Sequence, residues 1–189
     1  MVMIRRLFLF LLGVALFLII GGFLLPKGVS SEREIVINRS PDAVFSVLQD
    51  FRHFPEWSPW LVNRPDVEYR VSDPSAGPGA RLVWSGADTD AADGQLNIVA
   101  ADHSQRVEME LELQDRYRMD SWFELSPDPG GTRVVWAMTM EFGTFDLVGR
   151  YLGLMLPGLV GRDYQLGLES LKGYLESDGQ TENGPGADS

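Results

Sequence analysis

The sequence predicts an α+β protein: a curved antiparallel sheet of about six or seven strands wrapped around a long C-terminal helix, preceded by one N-terminal transmembrane helix. Three observations carry this. Residues 7–25 hold no charged side chain and consist mainly of Leu, Phe, Ile and Val. Between Val67 and Phe142 the apolar residues recur with a period of two, the signature of strands with one dry face. After residue 159 the period lengthens: Val160, Tyr164, Leu168, Leu171 and Leu175 fall on one face of a helix.

The apolar run at 7–25 reaches about 28 Å at 1.5 Å per residue, close to the hydrocarbon thickness of a bilayer. It is too long for the apolar core of a cleaved signal peptide. Its end, Gly21-Gly22-Phe23-Leu24-Leu25-Pro26-Lys27, offers no small-x-small cleavage site. An uncleaved signal anchor is the expectation, with residues 1–6 as a short cytoplasmic N-terminus. Arg5 and Arg6 favour that side, which places the soluble part outside the cytoplasm, in a bacterial periplasm or its equivalent. Lys27, Arg33 and Arg39 on the far side weaken the contrast.

Residues 26–32 read as a polar linker. Residues 34–39 alternate as a strand, and Ser40-Pro41-Asp42 is a helix start: an N-cap, a proline in the first turn and an acid beside it. A short helix through residue 49 follows. Residues 51–60 hold Pro55 and Pro59, so they form a broken helix or an ordered loop. Strands then gather around Val67–Val71, Leu82–Trp84 and Leu96–Ala100. The clearest, Val107-Glu108-Met109-Glu110-Leu111-Glu112-Leu113-Gln114, alternates without a break. Tyr117, Met119, Phe123 and Leu125 continue the pattern, Asp128-Pro129-Gly130-Gly131 turns the chain, and Val134, Trp136, Met138, Met140 and Phe142 share the next face. Residues 146–156 are helical in composition, Pro157-Gly158 reads as a break, and residues 159–176 form the long helix. Residues 177–189 have the composition of a disordered tail.

Composition limits function. The chain has 189 residues, no cysteine and two histidines, His53 and His103. Disulfides, thiolate metal sites, a cysteine nucleophile and a three-histidine metal site are excluded. The formal net charge is -11, and every acidic residue follows position 31, so the soluble part is more negative still. Nucleic acid would be repelled. So would an anionic lipid surface, which leaves membrane attachment to residues 7–25.

Four stretches carry a family resemblance. They are I-V-I-N-R-S-P-D-A-V-F-S-V-L-Q-D at 35–50, W-S-P-W at 57–60, G-G-T-R-V-V-W at 130–136 and V-G-R-D-Y-Q-L-G-L-E-S-L-K at 160–172. In order and spacing, residues 33–176 resemble the SRPBCC superfamily, the START and pollen-allergen-like helix-grip domains. They look most like the bacterial polyketide cyclase/dehydrase and lipid transport branch. The resemblance implies a helix-grip fold with a cavity for a hydrophobic ligand. It carries no common catalytic set, cofactor or metal site, and none is assigned.

The candidate cavity residues are Trp57, Trp60, Trp84, Met109, Met119, Phe123, Trp136, Met138, Met140, Tyr164 and Leu168. Met and Trp on a dry strand face suit an adaptable apolar pocket, and they suit a solid core equally well. Trp57 and Trp60 would form either a rim or a plug. His53, among Phe51, Phe54 and Trp57, is the best-placed titratable group, with a surface or capping role as the plainer alternative. Asp88-Thr89-Asp90-Ala91-Ala92-Asp93-Gly94 fails the EF-hand pattern, since its sixth and twelfth positions are Asp93 and Val99, and it reads as an acidic loop at 87–93. Asn38-Arg39-Ser40 is a chance glycosylation match, and Glu108, Glu110 and Glu112 line a wet sheet face.

The expected function is binding of a hydrophobic or amphipathic, lipid-like small molecule between sheet and C-terminal helix, at the membrane. The alternatives are a cyclase/dehydrase-like enzyme with His53 or a carboxylate as base, and an envelope interaction module with a filled core.

Overall fold

The computed structural model describes residues 2–62, 67–85, 93–113 and 117–181. A 23-residue helix, α1 (Val2–Leu24), leads into β1 (Gly28–Ile37), α2 (Pro41–Leu48) and a one-turn helix, α3 (Phe54–Trp57). Then come β2 (Glu68–Val71), β3 (Arg81–Ser85), β4 (Gly94–Asp102), β5 (Arg106–Leu113), β6 (Tyr117–Asp128) and β7 (Gly131–Glu141). The chain ends with α4 (Leu147–Gly153) and α5 (Leu156–Thr181). The seven strands form one antiparallel sheet in the order β1-β7-β6-β5-β4-β3-β2. Five hairpin or loop connections therefore join sheet neighbours, and only β1 is carried across to the far edge beside β7.

Local chemistry explains the elements. Ser40 caps α2 by accepting from the Ala43 N–H at 3.4 Å, with Pro41 in the first turn. Val107, Met109 and Leu111 of β5 point inward and are buried, while the glutamates between them face outward. There Arg106 bonds Glu108 at 2.6 Å, contacts Glu124 and lies 5.0 Å from the Trp122 ring centroid, so the wet face is neutralised locally. Gly131 opens β7 at φ +125, and a Cβ there would fall 2.2 Å from the Ile37 carbonyl oxygen, so only glycine fits this crossing of β1.

The core lies between the concave sheet face and α5, with α2 and α3 closing the near end. Tyr164, Leu168, Leu171 and Leu175 of α5 are buried against Ile37, Phe51, Phe123, Val134 and Trp136, and Val160 is half-buried beside them. The predicted helix face is the observed one.

Three boundaries differ from expectation. Residues 28–32 belong to β1, not to a linker: Gly28 pairs with Glu141 and the ladder runs on without interruption. Ladder bonds come from the backbone, so the polar Ser30-Ser31-Glu32 pairs as well as an apolar run would. Only residues 25–27 separate α1 from the sheet. Pro157-Gly158 does not break the helix. It lies in the first turn of α5, where a missing N–H costs nothing, and the break falls at 154–155. Finally, α5 continues to Thr181, beyond the expected end at 176. The rest of the expected tail, 182–189, and most of the acidic loop, 87–92, lie outside the described residues.

Candidate functional site

The gap between sheet and α5 is filled unevenly. Its middle is closed by aromatic rings around Trp136. Tyr164 stacks on it with centroids 3.9 Å apart and planes 8° from parallel. Trp57 and Trp60 meet it edge-on at 5.7 and 5.6 Å, and Phe123 lies at 4.8 Å. Trp57 is fully buried, so it plugs this region, while Trp60 is half-buried at its margin.

One serine organises the polar atoms of this cluster. Ser121 Oγ donates to the Ala137 carbonyl at 3.1 Å and accepts from Trp136 Nε1 at 2.9 Å. The Tyr164 hydroxyl at 3.0 Å must then be the donor to Ser121, since the serine has one proton and two lone pairs. The site is saturated. Burial holds the Tyr164 hydroxyl far above its ordinary pKa, against the opposing effect of the Ser121 hydrogen bond. Tyr164 is thus a neutral structural donor. Among the described residues, the buried Trp57 Nε1 has no hydrogen-bond partner.

Beyond the aromatic plug, toward the start of α5, the side chains shorten to Met, Leu and Val and leave a cavity of about 320 Å³. Its floor comes from the ends of three adjacent strands: Leu111 and Leu113 of β5, Tyr117 and Met119 of β6, and Met138 and Met140 of β7. Leu113 lies directly opposite Tyr117, and Leu111 opposite Met119, so both pairs present one face. Phe142 just after β7, Gly149 and Leu152 of α4, and Leu156 and Val160 of α5 complete the wall. Among the described lining residues, Tyr117 is the one with a polar side chain. Leu152 lines the cavity yet is 55% exposed, so the space reaches the surface at α4.

Of the eleven predicted residues, the structure gathers Met119, Met138 and Met140 around this cavity. Trp57, Trp60, Met109, Phe123, Trp136, Tyr164 and Leu168 belong to the packed core beside it. Trp84 lines a separate recess with Val83, Gly94, Gln95 and Glu112. His53 is remote: its Nδ1 lies 2.9 Å from the Tyr174 hydroxyl, and Tyr174 is four turns beyond Val160 on α5, roughly 21 Å at 1.5 Å per residue. The lining residues not singled out in advance are Leu111, Leu113, Tyr117, Phe142, Gly149, Leu152, Leu156 and Val160. The signal for Leu111, Leu113 and Val160 was present in the periodicities. What the sequence hides is the level along the sheet at which the large rings stop.

The cavity's rim is tied to α1. Arg150 of α4 is buried and donates to the carbonyls of Gly22 (3.4 Å), Gly143 (3.3 Å) and Thr144 (2.9 Å). The Gly22 carbonyl is one of the last four of α1, which have no partner within the helix. Gly21 and Gly22 permit the contact: a Cβ on Gly21 would lie 2.6 Å from the Tyr151 hydroxyl, and one on Gly22 would lie 3.1 Å from Leu147 Cβ.

The polyketide cyclase/dehydrase and lipid transport family model matches residues 28–176. The chain belongs to that family, and through it to the SRPBCC superfamily. Solved structures agree on the fold. A protein of unknown function, SA2116 from Staphylococcus aureus, is 12% identical with a TM-score of 0.63, over 82% of this chain and 97% of its own. Protein MLL2253 from Mesorhizobium loti is 15% identical with a TM-score of 0.57, over 79% and 98%. Ara h 8.0201 is 16% identical with a TM-score of 0.55, over 79% and 99%. No curated protein matches the chain.

Proposed function

We propose that this protein binds one hydrophobic or amphipathic, lipid-like molecule in the cavity between β5–β7 and the start of α5, and that α1 holds the domain at the membrane. The observation that carries the reading is the cavity: about 320 Å³, with Leu, Met, Phe, Val and Gly as its described lining apart from Tyr117. That volume lies in the range of small-molecule sites, roughly 300–1,000 Å³. Each methylene buried there gains about 0.8 kcal/mol before the costs of binding are subtracted.

The anchor reading is supported by the way α1 joins the domain. Met3–Leu24 is long and apolar enough to cross a bilayer, and its span is 6% buried. A cleaved signal would leave the Arg150 guanidinium without its Gly22 carbonyl. Arg5 and Arg6 at the other end favour the soluble domain on the non-cytoplasmic side.

The alternatives fare less well. The enzyme reading requires His53 or a carboxylate as a base in the cavity; among the described residues neither lines it, and His53 sits beside Tyr174 at the other end of α5. A filled core was the requirement of the interaction-module reading, and the cavity counts against it.

The test is a titration of the full chain in nanodiscs with the apolar fluorophore N-phenyl-1-naphthylamine, competed with a long-chain fatty acid. Saturable binding that is lost in Val160→Trp supports the reading. Absence of binding, or binding unchanged by that substitution, overturns it.

A further inference from the structure

The segment that closes the cavity is unlike the rest of this acidic chain. From Leu147 to Gly161 the one charged residue is Arg150, and Arg150 is buried. The large side chains around it point outward: Phe145 is 85% exposed, Val148 72%, Met155 66% and Leu159 60%, with Leu152 and Leu154 above half. Val148 and Leu152 lie four residues apart on one side of α4, and Phe145 stands just before its N-cap Asp146. A continuous apolar ridge of this kind on a soluble surface calls for a cover.

Its position says what the cover is. The ridge is continuous with α1. Phe145 meets Phe23 edge-on at 6.3 Å, and the Tyr151 hydroxyl donates to the Leu18 carbonyl at 2.8 Å. Leu18 lies six residues before the end of α1, so α4 reaches about 9 Å down the apolar helix. That matches the depth of about 5–10 Å at which amphipathic helices rest in a bilayer interface. If α1 spans the membrane, α4 cannot keep these contacts without entering the same leaflet.

We infer that the α4–α5 elbow, residues 145–159, is embedded in the leaflet that receives the end of α1, and that the cavity opens into that leaflet through Leu152. The occupant of the ridge is therefore lipid acyl chain. A molecule would pass from the bilayer to the cavity without crossing water, and the elbow is the contact that aims the opening. Attachment by apolar area suits a domain whose surface charge would be repelled by anionic headgroups. This inference rests on the reading of α1 as a membrane anchor, but not on the cavity being loaded.

The absence of native cysteine makes the test direct. Val148→Cys, Leu152→Cys and Met155→Cys, each labelled with a bimane, are placed by depth-dependent quenching with nitroxide-labelled phosphatidylcholine, full chain in phosphatidylcholine nanodiscs. Phe17→Cys reports on α1, and Ser126→Cys, in the exposed part of β6, reports on water. The expected result is strong quenching of the three elbow labels by a shallow nitroxide, quenching of the Phe17→Cys label by a deep one, and none for Ser126→Cys. If the Phe17→Cys label is quenched while the elbow labels respond to aqueous iodide instead, the inference fails and the anchor stands. If the Phe17→Cys label is not quenched, the anchor itself fails and this inference with it. Elbow labels shielded from both quenchers would mean a protein partner or second copy covers the ridge, which also overturns it.

Discussion

The Tyr151 hydroxyl donates to the carbonyl of Leu18 at 2.8 Å, across 133 residues of sequence. This bond ties a helix that flanks the cavity to the interior of the apolar N-terminal helix. It makes α1 part of the fold, and the contact is specified by small residues on one side and a buried guanidinium on the other.

Enlarging the small residues should separate the two helices. In Gly21→Val the new side chain would collide with the Tyr151 hydroxyl, already 2.6 Å from an added Cβ. Amide exchange at 143–155 should accelerate, with the sheet unaffected, as read by hydrogen exchange of the full chain in nanodiscs. Unchanged protection there would show that α1 and α4 are not packed together.

Arg150→Met should weaken the same junction by removing the donor to three carbonyls. Leaving buried polar groups unpaired costs about 1–3 kcal/mol each, so a loss of several kcal/mol is expected in thermal unfolding. Arg150→Lys should recover part of it, since an ammonium supplies three protons but not the planar reach.

Ser121→Ala should destabilise without altering ligand binding. It strands the Trp136 indole N–H and the Tyr164 hydroxyl, each fully buried, at about 1–3 kcal/mol apiece. A lower denaturant midpoint with unchanged N-phenyl-1-naphthylamine affinity is the expected pair of results, because Ser121 lies in the plug and not on the cavity wall.

Acid stability should depend on Asp50. Its side chain is buried and accepts from Arg52 Nε at 3.1 and 2.9 Å, from the Arg52 terminal nitrogen and from the Arg52 backbone N–H at 3.0 Å. The hydrogen bonds from Arg52 hold its pKa below the ordinary carboxylate value, against the upward pull of desolvation. A lowered folded-state pKa means the stabilisation is present in full above the unfolded value, about 3.9, and fades as pH falls through the folded value. Urea unfolding between pH 6 and pH 2, roughly, should show a shallower acid slope in Asp50→Asn than in the native chain.

How much of this was legible beforehand differs by element. Val107 to Leu113 alternates so regularly that the residues sharing its inward face follow from the period alone. The α5 face from Tyr164 to Leu175 follows from 3.6 in the same way. Ser30-Ser31-Glu32 concealed a strand, because ladder pairing is a backbone property and β7 supplied the partner. The site was half legible. Met119, Met138 and Met140 stood on the right strand faces, but Trp136 stood there too, and only the packing shows that Tyr164 and Trp57 close the space around the tryptophan while nothing as large follows at Met140. The ridge at Phe145–Leu159 was written in the sequence as a charge-poor run, but its exposure is a tertiary fact.

Whether the cavity holds an apolar molecule can be read by native mass spectrometry of the full chain, released from nanodiscs, alongside Val160→Trp. One bound apolar molecule per chain is expected in the native protein, and its loss in the variant. A clean unliganded mass for the native chain, or the same adduct on both, would contradict it.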